Sequence, residues 1–129
     1  MLPAPKTTER YLVQQALNWV ASELHAACGP LFAPGLSPEV SEFLVKRLAD
    51  KCKKLNDLAS LLGGGKKFLV GDSFTVADSY CYIVLSWAGY LGADLSAYPN
   101  VKAYFDNIAA LPNVKAAHAA MATAPATTC

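Results

Sequence analysis

The chain has 129 residues, of which 53% are hydrophobic and 16% are charged. This length and composition predict one packed domain and exclude a disordered chain. The formal net charge is +1, with eleven basic and ten acidic residues, so no broad electrostatic surface favours nucleic acid or anionic lipid and we expect neither partner.

Residues 1–6 are rich in proline and hold no apolar run typical of a secretory signal, so we expect an interdomain linker or a severed junction there. The stretch 76–91 is the most apolar, but Asp78 interrupts it and it is short for a bilayer, so we predict no membrane span. The cysteines have wide, irregular spacings, which indicates reduced thiols in a cytoplasmic protein. They are Cys28, Cys52, Cys81 and Cys129.

The first helix is predicted to begin at Thr8, where apolar residues start to recur at intervals of three and four. It is predicted to end at Gly29-Pro30, because glycine suits a C-terminal cap and proline cannot continue the helix. The predicted buried stripe comprises Leu12, Val13, Ala16, Val20, Leu24 and Ala27.

The second helix has a clear predicted start, since Ser37 can serve as N-cap and Pro38 fits the first helical position. The three glycines at 63–65 are predicted to end it. One face is polar along the whole length, so the helix is expected to be exposed to solvent on that side. The apolar stripe is predicted to be Val40, Leu44, Leu48, Cys52, Leu55, Leu58 or Ala59, and Leu62.

The third helix is predicted to begin at a capping box, in which Thr75 and Asp78 each satisfy a backbone amide of the first turn. The residues that follow, 79–88, are apolar on nearly every face, and such a helix belongs in the middle of a bundle. The preceding apolar segment 68–70 has no partner strand in the sequence, so we predict an extended loop packed on the core.

Two shorter helices complete the pattern, one from about Pro99 to Ala110 and one from Asn113 to about Met121. Residues 122–129 are expected to form a flexible tail. Together these elements predict an all-α fold, a five-helix bundle with a buried central helix.

Several blocks, taken in order, resemble the C-terminal domain of glutathione transferases. Residues 68–78 carry that family's glycine turn and S/T-x-x-D capping box ahead of the buried helix. Residues 17–25 and 79–88 are similar to the bacterial beta class in particular, and residues 98–114 match the closing helices. The resemblance covers residues 7–121, which we therefore take as the domain, and it implies the five-helix fold of this family.

The resemblance implies that the chain contributes the hydrophobic-substrate side of a glutathione-conjugation site. In this family a thioredoxin-like domain supplies most of the glutathione site and the residue that governs the sulfur. Because the chain starts inside the usual interdomain linker, we expect it to be inactive or nearly so alone, with no catalytic residue, no cofactor and only weak affinity for glutathione. Its expected partner is a thioredoxin-like domain or another protein on an exposed apolar face, or a second copy in a homodimer.

The resemblance assigns roles to two aromatic side chains. His25 aligns with a histidine that reaches toward bound glutathione in the beta class, whereas the neighbouring Ala26 stands where a lysine commonly assists. Trp87 aligns with the tryptophan that walls the hydrophobic-substrate side. Two structural alternatives stay open: a polar residue on a partly exposed helix face for His25, and a core aromatic for Trp87.

Other polar residues are interpreted as structural. Asp78 is expected to act in the capping box with Thr75 rather than in catalysis. Cys28 lies three residues after His25, but the helix dipole at that end opposes a thiolate, and two ligands fall short of a zinc site. We therefore predict neither a reactive dyad nor a metal.

A different class of function fits the same fold. Isolated domains of this type occur as protein-interaction modules in translation elongation factor subunits and aminoacyl-tRNA synthetase complexes. An apolar face left without its usual neighbour would favour such a partner. The sequence is nevertheless closer to the bacterial enzymes than to these translation proteins.

Overall fold

A computed structural model describes residues 2–123 of the chain and contains no strand within them. The five main helices confirm the predicted all-α, five-helix fold. They are α1 (Thr8–Trp19), α2 (Pro38–Asp57), α3 (Val76–Ala88), α4 (Pro99–Ala109) and α5 (Pro112–Thr123). The predicted flexible tail, 122–129, lies outside the described residues except for the last two positions of α5.

The core lies around α3, which packs against α1, against the residues that continue α1, and against α4. Six residues of α3 are buried, more than on any other helix described, and they share one face of it: Ala77, Asp78, Cys81, Val84, Leu85 and Ala88. The peripheral helix α5 has no fully buried residue. The central position predicted for the third helix is therefore present, and α5 is the least anchored element.

The chain after α1 differs from the single helix that the sequence predicts. It continues as a π-helical segment, Val20–His25, then as one α-helical turn, Ala26–Cys28, and then as a 3₁₀ turn, Gly29–Phe32. Buried residues of this stretch follow one another at intervals of four. In an α-helix, with 3.6 residues per turn, residues at this spacing would shift gradually around the helix. The wider π turn brings them back to one face. These fully buried residues are Val20, Leu24 and Cys28.

The α-helical geometry of this stretch ends at Cys28, directly before the predicted stop at Gly29-Pro30, but three details differ from the prediction. Gly29 does not cap the helix in the left-handed region but keeps right-handed helical angles, with φ −50° and ψ −53°. Pro30 lies inside the 3₁₀ turn rather than beyond the end of the helix, because proline is tolerated in a first helical turn. Leu12, which the sequence assigns to the buried stripe, is 44% exposed.

The second helix ends at Asp57, five residues before the predicted Leu62. Leu58 adopts extended angles, and the chain folds back so that the Gly63 amide donates to the Leu58 carbonyl at 2.9 Å. A Cβ atom on Gly63 would lie 2.4 Å from the Asp57 carbonyl oxygen, so only glycine fits this approach. Leu62 is still fully buried, as predicted, while Val40 and Leu58 of the predicted stripe are exposed.

The fully buried carboxylate of Asp78 joins three parts of the fold. One oxygen accepts from the Leu69 amide at 3.0 Å and from the Tyr104 hydroxyl at 2.8 Å, and the other accepts from the Thr75 amide at 3.0 Å. Thr75 Oγ1 in turn accepts from the Ala77 amide at 3.3 Å, so a capping box opens α3. The loop that holds Leu69 is thereby tied to α3 and α4 without forming a strand.

Candidate functional site

The π-helical segment meets α3 at a polar and aromatic contact, and we call the surface beside this contact the cleft. His25 is the last residue of that segment, and its Nδ1 atom is 2.5 Å from the hydroxyl of Tyr80 on α3. The two rings meet edge-on, with centroids 5.6 Å apart. Departures from α-helical geometry of this kind are frequent at functional sites. The wider turn places a half-buried imidazole against the central helix.

Trp87 extends the cleft along α3. It follows Tyr80 by seven residues, two helical turns, so both side chains lie on one face of the helix. The Trp87 ring lies 5.4 Å from the His25 ring, and Phe32 packs edge-on against Trp87 at 5.7 Å. We call these four residues, His25, Phe32, Tyr80 and Trp87, the aromatic cluster.

The cluster contains both residues that the resemblance singles out, His25 and Trp87, and two that sequence reasoning missed. Tyr80 was interpretable only as a tyrosine on a core helix, although its spacing of seven residues from Trp87 indicates a shared face. Phe32 is 51% exposed and lies in a turn, where no periodic pattern marks it. Large aromatic rings packed edge-on form a rigid apolar wall.

One nitrogen of His25 remains available to a ligand. Tyr80 engages Nδ1, and Nε2 has no hydrogen-bond partner within residues 2–123. No buried side-chain nitrogen or oxygen in this part of the chain lacks a partner, so the free Nε2 atom is accessible to solvent. The cleft therefore presents an apolar wall and one open imidazole nitrogen.

The thiols near the cleft are unsuited to nucleophilic chemistry. Cys28 is completely buried, and burial raises its pKa to about 11. Burial raises the pKa of Cys52 to about 12, and it raises the pKa of Cys81 further. The Nδ1 atom of His25 is engaged by Tyr80, and Cys28 is fully protonated at neutral pH.

An ion pair anchors the π-helical segment to α2. Lys51 Nζ lies 2.5 Å from the carboxylate of Glu23, two residues before His25. The hydrogen bond and the charge of Lys51 hold the pKa of Glu23 below its usual value. The backbone that carries His25 is therefore supported from α2 as well as from α3.

A second groove runs between α3 and α5, with a cavity of about 350 Å³. The Tyr82 hydroxyl is 2.8 Å from Nε2 of His118, and the Tyr82 ring stacks on Phe105 at 4.9 Å. We call this the α3–α5 groove. Its lining is mainly apolar and includes Phe74, Ile83, Val114, Ala117 and Met121.

Within residues 2–123, no cluster of three or more histidine, cysteine, aspartate or glutamate side chains is placed to hold a metal ion. In the same range, none of the helices combines the length and apolar character needed to cross a bilayer.

The fold is an all-α bundle built around α3, and comparison with known proteins gives the family. The family model for the glutathione S-transferase C-terminal domain matches residues 21–112, well over half of the chain. The chain therefore belongs to this family, and the resemblance seen in the sequence is confirmed.

The relatives are bacterial glutathione transferases. Glutathione S-transferase GstA of Escherichia coli O157:H7 is 28% identical over 89% of this chain and 55% of its own length. A sphingomonad glutathione S-transferase complexed with glutathione is 36% identical, with a TM-score of 0.85, over 95% of this chain and 59% of that chain. The beta-class enzyme of Sphingomonas chungbukensis is 37% identical, with a TM-score of 0.80, over 92% of this chain and 57% of that chain. The chain thus spans a little over half the length of these relatives.

Proposed function

We propose that this chain forms the hydrophobic-substrate side of a glutathione-conjugation site. The observation that carries the proposal is the packing of His25 against Trp87, with ring centroids 5.4 Å apart, in a cleft where Nε2 of His25 stays open. The 36% identical sphingomonad relative is complexed with glutathione, which supports glutathione as the ligand.

The chemistry of the cleft suits the two components of a conjugation. An apolar electrophile packs on the rings of Trp87 and Phe32, which exclude water from one side. His25 faces the glutathione sulfur, where an N–H at Nε2 stabilises negative charge on a thiolate. In the reaction the sulfur forms a bond to the electrophilic carbon, and the leaving group departs with the bonding electrons.

Within residues 2–123 no reactive cysteine is available to act on the sulfur chemistry, so we expect the chain to be inactive or nearly so alone. The described cysteines are buried with raised pKa values, and Ala26 stands where the beta class commonly has a lysine. Glutathione affinity of the isolated chain is expected to be no better than millimolar, about 4 kcal/mol of binding free energy. Efficient turnover requires a thioredoxin-like domain.

We place this domain on the side of α3 that carries His25 and Trp87, because it has to complete the same site. The α3–α5 groove lies on the opposite side of α3, and we assign it to another protein partner. It is apolar, and Ile83 and Met121 on it are exposed. Large exposed apolar surfaces mark interaction sites.

The remaining parts of the proposal concern assembly and location. Tyr11 on α1 and Phe43 on α2 are large exposed aromatics on outer faces, and a homodimer would cover them. Three cysteines are free and buried, which fits the reducing cytoplasm. Residues 1–6 are proposed as the interdomain linker and 7–121 as the domain.

Binding of a glutathione conjugate tests the proposed site. The probe is S-(2,4-dinitrophenyl)glutathione, titrated calorimetrically into the wild-type chain, and turnover of glutathione with the matching chlorinated aromatic is measured in parallel. We expect weak binding, a further loss of about fivefold or more in the His25→Ala and Trp87→Ala variants, and negligible turnover. His118→Ala is the matched control, because it removes a tyrosine-bonded histidine from the opposite side of α3.

Two results would contradict the proposal. Equal affinity in wild type, His25→Ala and Trp87→Ala would place the ligand elsewhere. Micromolar binding of glutathione itself to the isolated chain would show that the site is complete without a second domain. The relatives favour this function over the alternative of a translation-type interaction module, because the compared proteins are bacterial transferases.

A further inference from the structure

Tyr80 and His25 form a contact whose chemistry the proposed function leaves unused. Neutral imidazole carries one N–H, so one ring nitrogen donates a hydrogen bond and the other accepts. The Tyr80 hydroxyl, 2.5 Å from Nδ1, is the partner of one nitrogen, and the other nitrogen is open to the cleft. The position of the imidazole proton therefore decides whether Nε2 presents an N–H donor or an acceptor lone pair to a ligand.

We propose that Tyr80 is a positioning residue, which donates its hydroxyl proton to Nδ1 of His25 and thereby holds the N–H on Nε2, pointed into the cleft. The partner of one ring nitrogen commonly fixes the tautomer and the role of the other. Under the proposed function, on which this part rests, the group that accepts from Nε2 is the sulfur anion of a glutathione-type ligand.

Three observations favour donation by the phenol. A phenolic hydroxyl is a stronger acid than a neutral imidazole N–H and is therefore the better donor in an O···N contact. The Tyr80 hydroxyl is half-buried, and Nδ1 of His25 is its one hydrogen-bond partner within residues 2–123. The ring of Trp87 packs on the imidazole at 5.4 Å and restrains its rotation away from this contact.

The chain contains an internal counterpart of this pair. Two residues further along α3, Tyr82 lies 2.8 Å from His118, but it contacts Nε2 rather than Nδ1. The same reasoning assigns the opposite tautomer to His118, with its N–H on Nδ1. Because the chain has only two histidines, the two tautomers can be compared within one molecule.

Long-range proton–nitrogen NMR spectra of the uniformly ¹⁵N-labelled chain test the tautomers without any ligand. At mildly alkaline pH, where imidazoles are neutral, we expect the Nε2–H pattern for His25 and the Nδ1–H pattern for His118. In Tyr80→Phe, the spectrum of His25 should become an average over its two tautomers, while that of His118 stays unchanged. In Tyr82→Phe, the spectrum of His118 should become the average and that of His25 should stay unchanged. A Nδ1–H pattern for His25 in the wild type, or no change in Tyr80→Phe, overturns the assignment.

Affinity for a ligand with an anionic sulfur group then separates the positioning role from the proposed function. Tyr80→Phe is expected to weaken binding of glutathione sulfonate, whose charged sulfonate can accept from Nε2, by about two- to tenfold, the value of one ordinary hydrogen bond, while Tyr82→Phe leaves it unchanged. If His25→Ala weakens binding and Tyr80→Phe does not, the positioning role is wrong although the site stands. If the tautomers are as expected but neither variant changes affinity, the proposed function fails and the assignment of the proton stands.

Discussion

Asp78 lies on α3 and His25 packs against it. The two residues differ in how many of their polar side-chain atoms have a hydrogen-bond partner. Both carboxylate oxygens of Asp78 accept hydrogen bonds, from Leu69, Thr75 and Tyr104, and the residue is fully buried. His25 is half-buried, with one nitrogen engaged and one open. A saturated polar group stabilises a fold, whereas an unsaturated group at a cleft can bind a ligand.

The comparison predicts that substitutions around Asp78 change stability and that substitutions around His25 change binding. Asp78→Ala should have the largest effect, a loss of about 3–5 kcal/mol in the free energy of unfolding, because three buried donors lose a charged acceptor. Urea denaturation followed by circular dichroism measures this loss. Asp78→Asn should retain part of the network and lose less, and an unchanged midpoint in Asp78→Ala would show that the network does not form.

Gly63→Ala should have the next largest effect, a loss of about 2–3 kcal/mol, because the added Cβ would lie 2.4 Å from the Asp57 carbonyl oxygen. The three atoms nearest to the added Cβ, from Asp57 and Leu58, all belong to the backbone, so the end of α2 must move. Gly29→Ala is the matched control: nothing lies within 4 Å of its Cβ, and its helical angles suit alanine, so a gain of about 0.5 kcal/mol is expected. Equal melting temperatures for the two variants would contradict this account of the turn.

These boundaries show what the sequence could predict. The starts of α2 and α3 follow from local capping residues, Ser37 and Thr75, and both begin where the pattern indicates. The end of α2 depends instead on the close approach of Gly63, which a helical pattern does not encode. The π-helical segment was also missed, because intervals of three and four over six residues fit either helix type.

The residues of the candidate site likewise comprise some that the sequence could predict and some that it could not. His25 and Trp87 were named through the family resemblance, since neither residue type nor spacing distinguishes them from core aromatics. Tyr80 was missed because its partner lies 55 residues away in the sequence. A contact over that separation depends on how the π-helical segment packs on α3.

Two hydroxyl deletions sharpen the comparison between the structural and the binding region. Tyr104→Phe removes one of the donors to the buried Asp78 carboxylate and should cost about 1–2 kcal/mol of stability. Tyr80→Phe removes a half-buried hydroxyl and should change stability by less than about 0.5 kcal/mol, although it alters the His25 tautomer. Thermal melts of the two variants, run together, give the difference. A larger loss in Tyr80→Phe would reverse the roles assigned to the two regions.

The smallest effect expected is pH-dependent and concerns the support of the π-helical segment. Lys51 lowers the pKa of Glu23, so the pair contributes stability at pH values above the ordinary glutamate pKa and loses it as the pH falls through the lowered pKa of the folded state. In Lys51→Met the pKa of Glu23 returns toward its ordinary value, and the difference in urea midpoint from wild type should shrink on acidification and on addition of salt. A difference that stays constant from neutral to acid pH would mean that Lys51 acts through packing of its aliphatic chain, and the backbone beside His25 would then be held by apolar contacts alone.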